Sequence, residues 1–69
     1  MEFKDRIRRL RKSRKYTQFF VANCMGITER QYQRLEYGLA EPRLTGLVIL
    51  AGLYDVSVDY LVGLSEEAC

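Results

Sequence analysis

Histidine is absent from the 69 residues, and cysteine occurs only twice, as Cys24 and Cys69. Two thiols with no histidine beside them supply neither a disulfide framework nor a ligand set for zinc, so no metal or other cofactor is expected. The same absence removes the commonest catalytic base. No plausible nucleophile–base pair and no glycine-rich phosphate loop takes its place, and enzymatic activity is not expected. The longest apolar run, residues 47–53 with a glycine inside it, is far too short to cross a bilayer. No signal-peptide pattern opens the chain, and reduced thiols fit the cytoplasm. Internal repeats, low-complexity tracts and linkers are missing too. What remains is one small domain spanning 1–69, its core about 3–63 and its tail, 64–69, short and acidic.

Net charge is only +2, but it is unevenly spread. Residues 1–35 hold ten Lys and Arg against Glu2, Asp5 and Glu29, a surplus of seven positive charges. Residues 36–69 set Arg43 against six carboxylates, a surplus of five negative ones. A chain with one positive half suits a protein that presents one face to a polyanion. A solvated basic helix surface would have the same composition.

The most informative stretch runs from Thr17 to Gly38. Thr17 has the chemistry of an N-cap, and Tyr16 before it can staple onto Val21. A helix over Gln18 to Met25 would stop at Gly26, which tolerates the left-handed conformation of a helix end. Thr28 is a second N-cap. Gln31, three residues on, completes a capping box, and Ile27 against Tyr32 makes a second staple. Between a helix ending at Gly26 and another starting at Thr28 only a sharp turn fits. The pattern is a helix-turn-helix, whose second helix normally lies in the DNA major groove.

Around this unit the spacing predicts three more helices. The first covers roughly Glu2 to Lys15, with Phe3, Ile7, Leu10 and Arg14 on one stripe and Arg6, Arg8, Arg9, Arg11 and Lys12 on the remaining surface. In the second, Val21, Ala22 and Met25 are inward, and Cys24 reads as a small packing or half-exposed residue, not a reactive thiol. Phe19 and Phe20 are adjacent, so one helix cannot aim both at the same core. The third helix, Glu29 to about Glu36, turns Tyr32 and Leu35 inward. Glu29, Arg30, Gln33 and Arg34 lie on its opposite face, flanked by Gln31 and Tyr37. These residue types read base edges: Arg for guanine, Gln for adenine, Glu for cytosine.

The loop 38–42 leads to a fourth helix, Leu44 to Tyr54, that is apolar nearly all round. A domain this small buries one face of it, and the other, with Val48 and Ile49, needs a partner chain. Gly46 and Gly52 each cost up to about 1 kcal/mol of helix propensity, for which close packing against a neighbour would compensate. Val56, Ser57 and Leu61 supply a staple, a cap and its partner for a fifth helix, Val58 to Val62, closed by Gly63. The tail after it is expected to fray. Five helices with short connections make an all-α bundle. An apolar strip of Ile49, Val58, Val62 and Leu64 points to a homodimer through the fourth and fifth helices and the loop before the fourth.

Residues 6–63 resemble the Cro/CI-type (Xre-family) helix-turn-helix repressors of phages and bacteria. The resemblance rests on Arg11, Thr17-Gln18, Val21-Ala22, Gly26-Ile27-Thr28, Leu35-Glu36, Gly38, Pro42, Leu50-Ala51 and the run Val56 to Leu61. It implies a five-helix, lambda-repressor-like domain and a homodimer on a palindromic operator. It implies base reading by Glu29, Arg30 and Arg34 with Gln33 beside them. Backbone or minor-groove contacts are implied for Thr17, Gln18, Gln31, Tyr37, Arg43 and Arg11. Gln18 would also brace the first residue of the recognition helix, and Arg11 and Glu36 would form an ion pair. Leu39 departs from the pattern where Lys or Arg often meets phosphate. Arg43 departs from it at the usual cap of the fourth helix, which loosens that start. Phe19 and Phe20 replace two acidic residues; in one phage relative an acidic patch there contacts RNA polymerase, so the change favours repression over activation.

A different class of function stays open: an antitoxin-like or regulatory module whose main partner is another protein, reached through Phe19, Phe20, Leu39 and Ile49. Binding to DNA would weaken steeply with salt, whereas binding through an apolar patch would barely respond.

Overall fold

The computed structural model describes residues 2–65, which form five helices and no strand. They are α1 (Phe3–Ser13), α2 (Gln18–Met25), α3 (Glu29–Glu36), α4 (Leu44–Tyr54) and α5 (Val58–Val62). Glu66, Glu67 and Cys69, and with them the expected fraying of the tail's end, lie outside the described residues.

The capping chemistry accounts for the starts of three helices. Thr17 Oγ1 accepts the Phe20 amide at 3.0 Å, and Ser57 Oγ accepts that of Tyr60 at 3.0 Å. At α3 the box is reciprocal: Thr28 Oγ1 accepts the Gln31 amide at 3.1 Å, and Gln31 Oε1 accepts the Thr28 amide at 2.9 Å. Tyr16, Ile27 and Val56, each preceding a cap, pack half-buried against the core that holds Val21, Tyr32 and Leu61. Gly26 ends α2 in the left-handed conformation, φ 73°.

The end of α1 differs from the expected Lys15. The helix stops at Ser13 because Lys15 itself adopts φ 59°, and the Tyr16 amide folds back onto the Arg11 carbonyl at 3.1 Å. A lysine there carries a Cβ cost of roughly 1–2 kcal/mol that no local sequence signal announces. Arg14 does not join the buried stripe. It is exposed, and its guanidinium donates to the Tyr54 carbonyl at 2.7 Å, satisfying an orphan acceptor at the end of α4. Arg6 departs in the opposite direction. Assigned to the surface by its charge, it is buried, with its guanidinium 4.6 Å from the Tyr60 ring centroid.

Ile7, Val21, Ala22, Tyr32, Leu35, Leu50, Tyr54 and Leu61 make the core. Of the α4 glycines, Gly46 is buried, and a Cβ there would stand 3.1 Å from Met25 Cε, so its close neighbour is in the same chain. Gly52 is exposed with nothing within 4 Å of such a Cβ. One side of α4 is left apolar and open: Leu44 is 74% exposed and Val48 57%.

Candidate nucleic-acid interface

α2 and α3 meet across the turn at Gly26, where the Ile27 amide bonds the Ala22 carbonyl at 3.0 Å. α3 buries Tyr32, Leu35 and Glu36 and leaves Glu29, Arg30, Gln31 and Arg34 exposed. Arg30 and Arg34 are four apart, so two like charges share one ridge, an arrangement that disfavours an isolated helix by a few tenths of a kcal/mol. Among the described residues neither has an ion-pair partner. Two unneutralised guanidiniums one turn apart concentrate positive potential on this face of α3.

This helix is anchored from behind by a carboxylate. Glu36, 1% exposed, receives Arg11 in a two-pronged pair: Nε to Oε2 at 2.6 Å and Nη2 to Oε1 at 3.1 Å. Arg11 Nη1 also donates to the Tyr16 carbonyl at 3.1 Å. Arg8 Nη2 reaches the Glu36 carbonyl at 2.7 Å and so caps the C-terminal end of α3. Gln18 Nε2 donates to Glu36 Oε1 at 3.2 Å, while Gln18 Oε1 accepts from Gln33 Nε2 at 3.2 Å. α1, α2 and α3 are thereby fastened to one buried charge. The brace expected from Gln18 to the first residue of α3, Glu29, lands instead on Gln33, one turn further along, and Gln33 is half-buried.

Burial alone would raise the Glu36 pKa, but the Arg11 guanidinium, with Tyr32 and Gln18 beside it, outweighs burial and holds the carboxyl below its usual 4.5. Such a group contributes stability that is fully present above the unfolded value and is lost as pH falls through the depressed folded one. Thermal melts followed by circular dichroism should therefore show a falling midpoint once pH drops below about 4.5. In Glu36→Gln that acid limb should flatten; an unchanged limb would mean other carboxylates govern it. Tyr32 and Tyr54 lie at the same junction, fully buried; Tyr32 is near enough to Glu36 to favour its charged form, but neither hydroxyl reaches a partner in full hydrogen-bond geometry. Burial pushes Tyr54 up to about 12, and burial with Glu36 nearby also raises Tyr32 above its ordinary value.

Of the other candidate residues, Thr17 caps α2 beside Gln18, Tyr37 is 57% exposed at the end of α3, and Arg43 is exposed at the N-cap of α4, where it makes no side-chain cap bond. Phe19 is 57% and Phe20 43% exposed, and Phe20 is partly covered by Tyr16, ring centroids 4.7 Å apart. Cys24 is exposed and is not a packing residue, because on α2 it shares the outward side with Phe20, four residues before it. Leu39 is 65% exposed. In the apolar strip Ile49, Val62 and Leu64 are exposed and Val58 half-buried. The sequence reading missed the Gln18–Gln33 pair and the caps by Arg8 and Arg14, since each joins residues far apart in the chain. No helix among the described residues is long and apolar enough to cross a membrane.

A family model described as Helix-turn-helix matches residues 7–61. The uncharacterized HTH-type transcriptional regulator YobD of Bacillus subtilis (strain 168) is 47% identical over 63 residues, which cover 91% of this chain and 56% of that protein. The HTH-type transcriptional regulator AnsR of the same organism is 33% identical over 63 residues, 91% of this chain and 54% of that protein. The chain thus spans just over half the length of the curated relatives it matches. Among solved structures, the P22 c2 repressor protein in complex with synthetic operator 9T in the presence of Tl+ superposes with a TM-score of 0.84 at 27% identity, covering 90% of this chain and 94% of that one.

Proposed function

The chain belongs to the Cro/CI-type helix-turn-helix family, and from that premise we propose that it is a sequence-specific DNA-binding transcriptional regulator, a repressor acting as a homodimer on a palindromic operator. The observation that carries the reading is the outward face of α3, where exposed Arg30 and Arg34 lie one turn apart with no ion-pair partner among the described residues. In this reading α3 enters the major groove, Arg30 and Arg34 read guanines, and Glu29 reads cytosine. Gln33 works at the edge of that set, because its amide nitrogen is shared with Gln18. Thr17, Gln18, Gln31 and Tyr37 meet the phosphate backbone, and Arg43 reaches the minor groove; the Arg11 side chain, 13% exposed and bonded to Glu36 and the Tyr16 carbonyl, braces α3 from behind and is not one of these contacts. These backbone contacts fix register and carry no sequence information themselves. The proposed setting is the cytoplasm, and no enzymatic step is involved. Selection from a random DNA pool should return an inverted repeat with half-sites one helical turn, about 34–36 Å, apart. Recovery of unrelated sequences would remove specificity from the reading.

The proposed dimer interface is the open side of α4 with α5, through Ile49, Val58, Val62 and Leu64. One α3 gives few base contacts, and a two-fold axis doubles them. Sedimentation at micromolar concentration should show a dimer for the wild type and a monomer for Ile49→Lys. A dimer untouched by the lysine would move the interface elsewhere. A protein partner engaged through Phe19, Phe20 and Leu39 is supported by their exposure, and it is compatible with DNA binding.

A further inference from the structure

A cleft of about 300 Å³ opens between α3 and the start of α4. Part of its lining is apolar and little exposed: half-buried Met25 and Ile27 and buried Leu35. Arg34 and Arg43 also line it and are both exposed, so the solvent-facing part of the lining carries two cationic residues. Among the described residues neither is neutralised by an ion pair. Glu41, exposed on the rim, is the one acidic lining residue, so the cleft keeps a net positive charge. Gly46 also lines it, and a Cβ at that position would stand 3.1 Å from Met25 Cε and 3.6 Å from Pro42 Cβ, both on lining residues.

We propose that this cleft binds a small organic carboxylate with an aliphatic or aromatic body, and that such a ligand competes with DNA because both use Arg34. The volume is at the lower end of small-molecule sites, and the mixture of an apolar lining with a few polar groups is their usual composition. An inorganic anion or a backbone phosphate would satisfy the guanidiniums but leave the apolar lining wet; a neutral apolar molecule would cover that lining but leave the charges unpaired. A carboxylate on the solvent-facing part accepts the forked donors of Arg34 or Arg43 while its body displaces water from Met25, Ile27 and Leu35. The competition rests on the proposed base-reading role of Arg34; occupancy of the cleft does not. By linkage, whatever weakens DNA binding in this way is itself weakened by DNA to the same factor.

The test is a two-dimensional amide NMR titration of the DNA-free protein with hexanoate, acetate and hexanol at constant ionic strength. Hexanoate is expected to shift the signals of Leu35, Thr45 and Gly46 saturably, with a millimolar dissociation constant in keeping with its small size. Acetate and hexanol should each bind at least about tenfold more weakly. Arg43→Gln should weaken hexanoate several-fold without affecting hexanol, and Glu41→Gln should tighten hexanoate. No saturable shift, or equal responses to hexanoate and either control, would overturn the site. A separate arm measures the affinity of the wild type for its selected duplex with hexanoate or acetate present. Weakening by hexanoate alone supports competition. Hexanoate binding with unchanged DNA affinity overturns the competition, and failure of the untreated protein to bind DNA is scored on its own.

Discussion

Arg11→Ala is expected to cost about 3–5 kcal/mol of folding stability, because it leaves the Glu36 carboxylate buried without its main counter-charge. A domain of 69 residues has roughly 3–10 kcal/mol in total, so the variant should be largely unfolded at 37 °C or close to it. The geometry sets the size of the effect. Glu36 is 1% exposed and Arg11 meets it with two nitrogens, whereas an exposed pair is worth under about 1 kcal/mol. Arg8 Nε, 3.8 Å from Glu36 Oε1, supplies partial compensation and favours the lower end of the range. The paired replacement Arg11→Met with Glu36→Leu should recover most of the loss, since an apolar pair of similar volume needs no desolvated charge. Urea denaturation of the three variants is the measurement. A cost for Arg11→Ala within the exposed-pair range would show that water reaches Glu36.

Arg34→Ala is expected to flatten the preference at one base position of each half-site and to cost about 1–3 kcal/mol of discrimination there. Because Arg34 is exposed, its loss should leave folding stability within about 0.5 kcal/mol of the wild type. Gln18→Ala should behave differently. Placed on the backbone, it should weaken all sequences about equally. It also loses the bonds to Glu36 and Gln33, so a drop of roughly 1 kcal/mol in stability should accompany the uniform loss. Repeating the random-pool selection with each variant separates the two roles. An unchanged consensus for Arg34→Ala would take that residue out of base reading.

The helix boundaries around the turn were legible because their signals are local. Thr17, Thr28 and Ser57 lie within three residues of the amides they cap, and Gly26 and Gly63 need no distant neighbour to turn left-handed. The all-α bundle followed from those signals and from the periodicity of the apolar residues. The early end of α1 was not legible, since Lys15 has no intrinsic preference for the conformation it holds. Arg6 was misplaced for a related reason: charge argues for the surface, and only the fold brings Tyr60 beneath its guanidinium. The face of α3 could be read from spacing alone, but not the division within it, where Gln33 turns toward Gln18. The cleft lined by Arg34 and Arg43 has no sequence signature, because it is a gap between elements.

The most direct measurement of the central claim, that the basic face of α3 binds DNA in a sequence-dependent way, is the affinity for the selected duplex and for a scrambled one across a salt series. The selected duplex should bind more tightly at every salt concentration, and for both duplexes the logarithm of affinity should fall linearly with that of salt, at roughly 0.9 per phosphate contacted. Equal affinity for the two duplexes, or a response to salt near zero, would contradict it.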